Sequence, residues 1–574
     1  MRSAAFASTS FALAALGVAT TAGGEPFQPT HEAARTNAQH IFNAVHAAGR
    51  QWDSSIKHNG LSFIPAFVPK GTLLHHGSHT KDTPDVPEWL AFETEHAENF
   101  AFSRLKRKVP DGSDDEGDDI LSRLASQQAQ GRQRVPVQDK QSLGSTLYPP
   151  LMGEKGRGYL HTYQATQDLN LLYLDGMAAA KSRFGTLDSQ DYVLRGLEEE
   201  GGYFDEWTRA KDLCAVIDPW GYQGIIRMEF GFEVIYCDFF DGNLALVSQT
   251  RTMVGEDKLT AHDGWLYQAM RGASRRYDGI GANRMKLDFS SMLSGFFYPM
   301  NTSSNIPDRP DLLRLGSASS QELKEIKNAV GKVAIQPRRY TVDWQAITDQ
   351  IVARFADRFS MLATEEGVTD EMFMDDLEGM TLTYFDAPPL PDDEKLMSEK
   401  DSNEDLERRR IEAVERCSRH FLLPAIAFEL EFSEQDDLIY TAISQVTNQI
   451  CKTTQQVWWQ LVKALHRAEL GREAESVHQE AMALPQKSRE AVQEARARIR
   501  DLMTALDWPT WTMKRRCAPN AFLFVAMWPF GTEKDHWDPD CRSVEELMDM
   551  KNWVGYWDLR FGNDSTTEGR VLAG

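Results

Sequence analysis

The sequence predicts an α+β protein in which a mixed N-terminal part is followed by a mainly α-helical C-terminal half. Two regions of the first 300 residues have the composition of strands. At 158–175, alternating side chains lead into an apolar run, and at 220–240, β-branched and aromatic residues lie between glycines. Beyond residue 310, four long segments repeat apolar residues at helical spacing. Hydrophobic residues make up 41% of the 574 residues, which is enough for a packed core.

The N-terminus predicts a secretory signal peptide over residues 1–22. Arg2 provides the positive charge, Phe11 to Ala19 form the apolar run, and Thr20-Thr21-Ala22 gives a cleavage site of small residues. We therefore expect a secreted or luminal protein that begins near Gly23.

Shifts in composition divide the rest of the chain. Helical spacing at 31–50 and 87–105 flanks short, Pro- and Gly-broken strands at 61–78. A dense acidic block, followed by a Gln-, Ser- and Arg-rich tract, cannot bury enough apolar surface to become ordered. The predicted units are an α+β domain over 55–300, a disordered loop within it at about 106–157, a helical region over 310–510, and a Trp- and Pro-rich cap over 511–574.

Six cysteines are informative in an oxidising compartment. An even number predicts up to three disulfides, and six cysteines allow 15 pairings. We predict one pair, Cys517 with Cys541, because the irregular segment between them otherwise lacks a means of staying ordered. Glycosylation sequons at Asn301 and Asn563 fit the secretory route.

Charge and missing motifs exclude several functions. The 62 basic and 85 acidic residues give a net charge of −23, which repels nucleic acids and anionic membrane surfaces. The phosphate-binding loop, the G-x-S-x-G nucleophile motif, the dinucleotide G-x-G-x-x-G and the zinc motifs H-E-x-x-H and C-x-x-C are all missing. We therefore expect no metal site. A carboxylate pair for glycoside hydrolysis stays open, because sequence does not show how far apart two acids lie.

Four segments of the N-terminal third resemble, in this order, the ADP-ribosyltransferase-like fold over about residues 60–242. They are GTLLHHGS, PEWLAFETEHAENFA, YLHTYQATQDLNLLYLDG and WGYQGIIRMEFGFEVIYCDF. The whole sequence is also similar to large secreted fungal proteins of unassigned function, a likeness that implies no activity.

The first resemblance implies NAD as cofactor and either ADP-ribosyl transfer or NAD glycohydrolysis. A fixed carboxylate would stabilise the positive charge that develops on the ribose as nicotinamide leaves. The implied catalytic residues are Glu229 and Glu233, and the implied cofactor-binding residues are His76, Gly77, Ser78 and Tyr163. We expect His76 and a glutamate to converge on one cleft within about 10 Å, with His75 on the other face because successive strand residues alternate.

The alternative function is that of a non-enzymatic secreted effector or interaction protein with a vestigial N-terminal fold. In that case His76 is a structural strand-end residue and the two glutamates are ordinary acids. Placement of His76 and the glutamates on opposite faces would favour this alternative.

Overall fold

The computed structural model describes residues 27–104, 155–197, 205–253, 264–274, 280, 283–387, 403–470, 486–513, 516–548 and 556–557. The predicted signal peptide, nearly all of the predicted disordered loop, the Asn563 sequon and the end of the predicted cap lie outside the described residues.

A large mixed sheet forms the N-terminal half. Its order is β10-β6-β2-β3-β9-β8-β7-β1-β11, with β12 also paired to β1, and every neighbouring pair is antiparallel except β7 with β8. Two small hairpins, β4 with β5 and β13 with β14, lie outside it. The strands are β1 (Asn59–Val68), β2 (Leu73–Ser78), β3 (Glu88–Ala91), β4 (Phe102–Arg104), β5 (Lys155–Arg157), β6 (Tyr159–Ala165), β7 (Leu169–Gly176), β8 (Gly224–Glu229), β9 (Gly231–Tyr236), β10 (Leu244–Arg251), β11 (Lys286–Leu287), β12 (Leu293–Ser294), β13 (Ala521–Phe524) and β14 (Asp540–Ser543).

Helices cover the sheet and build the C-terminal half. The α-helices are α1 (His31–Thr36), α2 (Ala38–Ala47), α3 (Gln51–Ile56), α4 (Thr94–Glu98), α5 (Glu206–Ile217), α6 (Gly264–Ser274), α7 (Ser320–Ala334), α8 (Trp344–Ala363), α9 (Asp370–Thr381), α10 (Asn403–His420), α11 (Leu423–Ile426), α12 (Glu434–Leu470), α13 (Gln486–Leu506), α14 (Glu533–Trp537) and α15 (Val544–Met548). A π-helix spans Ser189–Leu194, and short 3-10 helices lie at Asp218–Trp220, Phe289–Ser291, Gly295–Phe297, Leu382–Tyr384, Glu429–Glu431 and Pro509–Trp511.

Local sequence explains the long helices well. α7 begins at a capping box in which Ser319 and Glu322 each bond the backbone of the other, and its buried face is Leu323, Ile326 and Val330. The N-terminal helix α2 packs against α12, so the first residues of the ordered chain join the helical half. These features confirm the predicted α+β class. In the described part of the chain, we find no helix that combines the length and hydropathy of a membrane span.

Two helical segments differ from the prediction. The helix at 31–50 is broken at Asn37, whose backbone leaves helical geometry. The predicted helix at 87–105 is instead β3, the five-residue α4 and β4. β3 pairs with β9 along its whole length, from Glu88 opposite Tyr236 to Ala91 opposite Glu233, and this long-range pairing overrides the local helical spacing.

Three disulfides are present, and they include the predicted pair Cys517–Cys541. The other two join Cys214 to Cys237 and Cys417 to Cys451. Three disulfides are typical of proteins that fold in an oxidising compartment.

The Cys517–Cys541 disulfide closes a segment whose ends are 24 residues apart. Replacing both cysteines with serine should lower the free energy of unfolding by about 3 kcal/mol, because the unfolded chain gains loop entropy. Urea unfolding under non-reducing conditions measures this difference. An unchanged unfolding midpoint would show that packing alone orders the segment.

Candidate functional site

Glu229 and Glu233 meet on one face of a tight β-hairpin. Only Phe230 separates β8 from β9, and Gly231 begins β9 with φ +86°, a conformation that favours glycine. In the register, Glu229 lies opposite Gly231 and Arg227 lies opposite Glu233. Cross-strand partners in an antiparallel pair point to the same side of the sheet, so both glutamates and Arg227 share a face. The sequence places the two acids on one face of a single strand, whereas the structure does so across a turn.

Both glutamates are buried and bound to cations. Glu229 accepts a short hydrogen bond from the Lys181 ammonium, and Glu233 accepts one from Arg227 Nε at 2.8 Å. Glu206, at the start of α5, is bound by Arg227 and lies 3.8 Å from Lys181 Nζ. Together with His96 these side chains form what we call the glutamate cluster: His96, Lys181, Glu206, Arg227, Glu229 and Glu233.

His96 covers the cluster from helix α4. The residue is 2% exposed, and its Nδ1 has no hydrogen-bond partner in the described part of the chain. A Cβ atom at Gly231 would lie 2.6 Å from this Nδ1, so only glycine lets the ring approach so closely. Burial lowers the pKa of His96 and Lys181 acts in the same direction, whereas Glu233 and a hydrogen bond to the Phe232 backbone oppose the shift. The ring is therefore neutral at pH 7, and one of its nitrogens lies within 4.8 Å of a carboxylate oxygen of each glutamate.

Different environments give the acids different proton affinities. Burial raises the pKa of Glu229 to about 7, and Glu233 adds to the rise, while Lys181 and Arg227 oppose it. For Glu206, burial also acts upward, but Arg227, Lys181 and the neighbouring Arg209 prevail and hold its pKa at about 2. Glu229 can therefore exchange a proton near neutral pH while Glu206 stays ionised.

An aromatic side chain from the C-terminal region packs against the cluster. The Lys181 ammonium lies 4.5 Å from the centroid of the Trp528 ring, a cation–π contact. The backbone around the hairpin is held by Gln51, whose side chain bonds the Glu229 carbonyl and the Gly231 amide. Segments from the two ends of the chain thus position the same hairpin.

His76 lies on the opposite face of the sheet from both glutamates, contrary to the expected single cleft. In the register, His75 pairs with Ala91, which pairs with Glu233, so His75 shares their face and His76 does not. The expectation was wrong because it assumed that His76 shares a face of the sheet with the residues of β8. Only the strand pairing determines that face. His76 Nδ1 bonds the Trp89 carbonyl at 2.8 Å, and its ring lies 5.7 Å from that of His161.

The other predicted cofactor-binding residues also form no common site with the glutamates. Tyr163 shares the His76 face, where its ring contacts Phe239, and Ser78 contacts Thr80 there. A Cβ at Gly77 would lie 2.0 Å from the Ala97 carbonyl oxygen, so the protein's own backbone fills the space predicted for a cofactor. The predicted residues therefore form two groups, the glutamates on one face and His76 with Tyr163 on the other.

The glutamate cluster also has the donor set of a metal site. One ligand atom from each of His96, Glu229 and Glu233 lies within 4.8 Å of the others, although the sequence predicts no metal. Lys181 and Arg227 already bind the two carboxylates, and a divalent cation would have to displace the Lys181 ammonium. The arrangement therefore suits acid–base and charge-stabilising chemistry better than metal binding.

Sequence reasoning missed His96, Lys181, Glu206 and Arg227. For Arg227 a signal exists, because a charged residue within the apolar run Gly-Ile-Ile-Arg-Met must be paired when its strand is buried. His96 is hidden inside the segment predicted to be helical. Lys181 lies in an irregular segment and Glu206 is the first residue of a helix, and no pattern in the sequence distinguishes them.

Residues 30–265 match the family model described as the YPL277C N-terminal domain. This region contains the whole glutamate cluster and not Trp528. Uncharacterized protein YPL277C of Saccharomyces cerevisiae is 29% identical over 413 residues, covering 61% of this chain and 80% of that protein. Uncharacterized protein YOR389W of the same yeast is 28% identical over 413 residues, covering 61% of this chain and 62% of that protein. No solved structure matches the chain, so the resemblance to the ADP-ribosyltransferase-like fold gains no support there. The chain is similar to fungal proteins of unassigned function.

Proposed function

We propose that the protein is an enzyme that breaks a glycosidic bond at the glutamate cluster, with NAD as the substrate to test first. The observation that carries this proposal is the pairing of two neighbouring buried glutamates with unlike partners, Lys181 for Glu229 and Arg227 for Glu233. Buried, charged and unequal acids are typical of active sites. The choice of NAD comes from the sequence resemblance.

Each glutamate has a role that its surroundings suit. Glu233, bound to Arg227, would face the positive charge that develops on the ribose as the carbon–nitrogen bond breaks. Nicotinamide leaves as a neutral ring, with the bond's electron pair on its nitrogen, so no acid is needed. Glu229, with a pKa of about 7, would take the proton of the water or acceptor hydroxyl that forms the new bond. The three disulfides support a site of action in an oxidising compartment, which fits secretion.

Incubation of the protein with NAD should release nicotinamide, which chromatography detects. Glu229→Gln should lower the rate about 100-fold or more, because glutamine cannot accept the proton. Glu88→Gln is the matched control, since Glu88 is also a strand glutamate with a pKa raised by burial to about 7 but lies on the opposite face. Equal losses in both variants would argue against the site, and no release by the unaltered protein would reject NAD as substrate.

A second candidate function is that of a non-enzymatic secreted interaction protein. It is favoured by the placement of His76 and Tyr163 on the face opposite the glutamates, which separates the two groups that the resemblance implies. In this case the glutamate cluster is a buried support for the hairpin. Measuring both nicotinamide release and thermal unfolding of Glu229→Gln separates the candidates. The enzyme would lose activity, whereas a purely structural cluster has no activity to lose and would show only a changed midpoint.

A further inference from the structure

A basic groove lies beside the glutamate cluster, on the same face of the sheet. It has a volume of about 760 Å³, and its lining includes Lys70, Thr72, His75, Thr94, Arg284 and Lys286. His75 is in the same row of the sheet as Glu233, two strands away. Strand spacing puts the two backbones about 10 Å apart. Helix α4 stands between the two sites, with Thr94 at the groove and His96 at the cluster.

The charge of the groove is opposite to that of the chain. Its lining carries three cations and one carboxylate, Glu93, on a protein with a net charge of −23. Glu93 is paired with Arg284 at 2.8 Å. Lys70 and Lys286 make no ion pair within the described part of the chain, and the Lys286 ammonium instead lies 5.7 Å from the centroid of the Phe67 ring. Two lysines without an ion-pair partner in the described residues therefore line the groove.

The backbone and Arg284 hold this charge in place. The Arg284 guanidinium donates to the carbonyls of Phe92 and Ile280, so its charge is fixed while its hydrogen bonds are used internally. The Lys70 amide donates to Asp168 at 2.8 Å, which anchors the turn that carries the lysine. The hydroxyl of Thr94 contacts His75 Nε2 at 3.2 Å. Two lysines that line one groove with a fixed arginine and two threonine hydroxyls are suited to a phosphate group.

We propose that this groove binds the phosphates of a nucleotide ligand. Lys70 and Lys286 contact the phosphate oxygens, while Arg284, whose charge is balanced by Glu93, fixes one wall of the groove. Nothing in this charge distribution depends on the proposed glycosidic reaction. The identification of the ligand as a nucleotide, and with it the choice of ADP-ribose as the probe, rests on that function. ADP-ribose would be the product of NAD hydrolysis and lacks the nicotinamide–ribose bond that the enzyme would cleave.

Isothermal titration calorimetry with ADP-ribose at low ionic strength tests the proposal. The unaltered protein should bind with a Kd below about 1 mM, and the double variant Lys70→Gln/Lys286→Gln should bind about tenfold more weakly or worse. The control is Lys324→Gln/Lys332→Gln, which removes the same charge from two exposed lysines of α7. It should change the Kd less than about twofold, since neither lysine lines the groove.

Three outcomes would overturn the proposal: no binding by the unaltered protein, no effect of the groove variant, or an equal effect of the control. Binding and NAD cleavage are read separately, so the two proposals fail in different ways. Lysine-dependent binding without nicotinamide release rejects the glycosidic reaction and keeps the groove. Nicotinamide release together with ADP-ribose binding that is unchanged in the groove variant keeps the glycosidic reaction and rejects the groove.

Discussion

Replacing Arg227 with alanine is expected to lower the free energy of unfolding by about 3–5 kcal/mol. The Arg227 side chain is fully buried and bonds Glu233 at 2.8 Å, Gln190 at 3.0 Å and also Glu206. Its removal leaves Glu206 and Glu233, whose side chains are 16% and 7% exposed, without their main cation. The guanidinium offsets the free-energy cost of removing those carboxylates from water. Without the guanidinium, that cost lowers the stability of the folded state in full.

Urea unfolding of the purified protein measures this loss. Arg498→Ala is the control, because Arg498 forms an exposed pair with Glu494 on one helix, and its loss should change the stability by less than about 0.5 kcal/mol. The double variant Arg227→Met/Glu233→Gln should be more stable than the sum of the single variants predicts, since it removes both charges together. A loss below about 1 kcal/mol in Arg227→Ala would mean that water or a rearranged Lys181 compensates the acids.

Acid is expected to destabilise the protein through two buried histidines, His58 and His536. Burial lowers the pKa of His58 to about 3 and that of His536 to about 2. Their rings lie 5.2 Å apart, and His58 Nε2 and His536 Nδ1 have no hydrogen-bond partner in the described part of the chain. Arg309 and Lys57 act on both rings to disfavour a further positive charge, while Asp311 acts in the opposite sense on His58.

The direction of the effect follows from where the protons bind. In the unfolded chain each histidine takes up a proton below about pH 6.5, whereas in the folded protein neither does until the pH is far lower. The stability that these histidines provide is complete above pH 6.5 and is lost as the pH falls toward the folded values. Two protons correspond to about 3 kcal/mol per pH unit.

Buried acids act in the opposite direction, so variants are needed to isolate the histidines. Burial raises the pKa of Asp175 to about 7, and this group stabilises the folded state as the pH falls. Unfolding free energies from pH 7 to 5 should therefore fall more steeply in the unaltered protein than in His58→Gln/His536→Gln, by about two protons. Proton NMR of the folded protein should also show that the imidazoles of His58 and His536, assigned by their loss in the variants, do not titrate above pH 5. Equal slopes, or normal titration of all histidines, would contradict the assignment.

The sequence predicted the secondary structure best where the signal is local. The helix at Ser320–Ala334 has a capping box and an apolar face with helical spacing, and both are read within fifteen residues. The strands at Tyr159–Ala165 and Leu169–Gly176 follow alternating or apolar runs between turn residues. The segment at 87–105 failed because its helical spacing is weaker than the pairing of Glu88–Ala91 with a strand 140 residues further along the chain.

By itself, the sequence determined the α+β class, the helical C-terminal half and a disulfide between Cys517 and Cys541. It also placed Glu229 and Glu233 on a common face. Tertiary structure alone decided which side chains join them, because His96, Lys181 and Trp528 come from distant parts of the chain and converge only in the folded protein. It also separated His76 from the glutamates. Side chains alternate between the two faces of a strand, so the face of each residue depends on the register with neighbouring strands, and local periodicity does not contain that register.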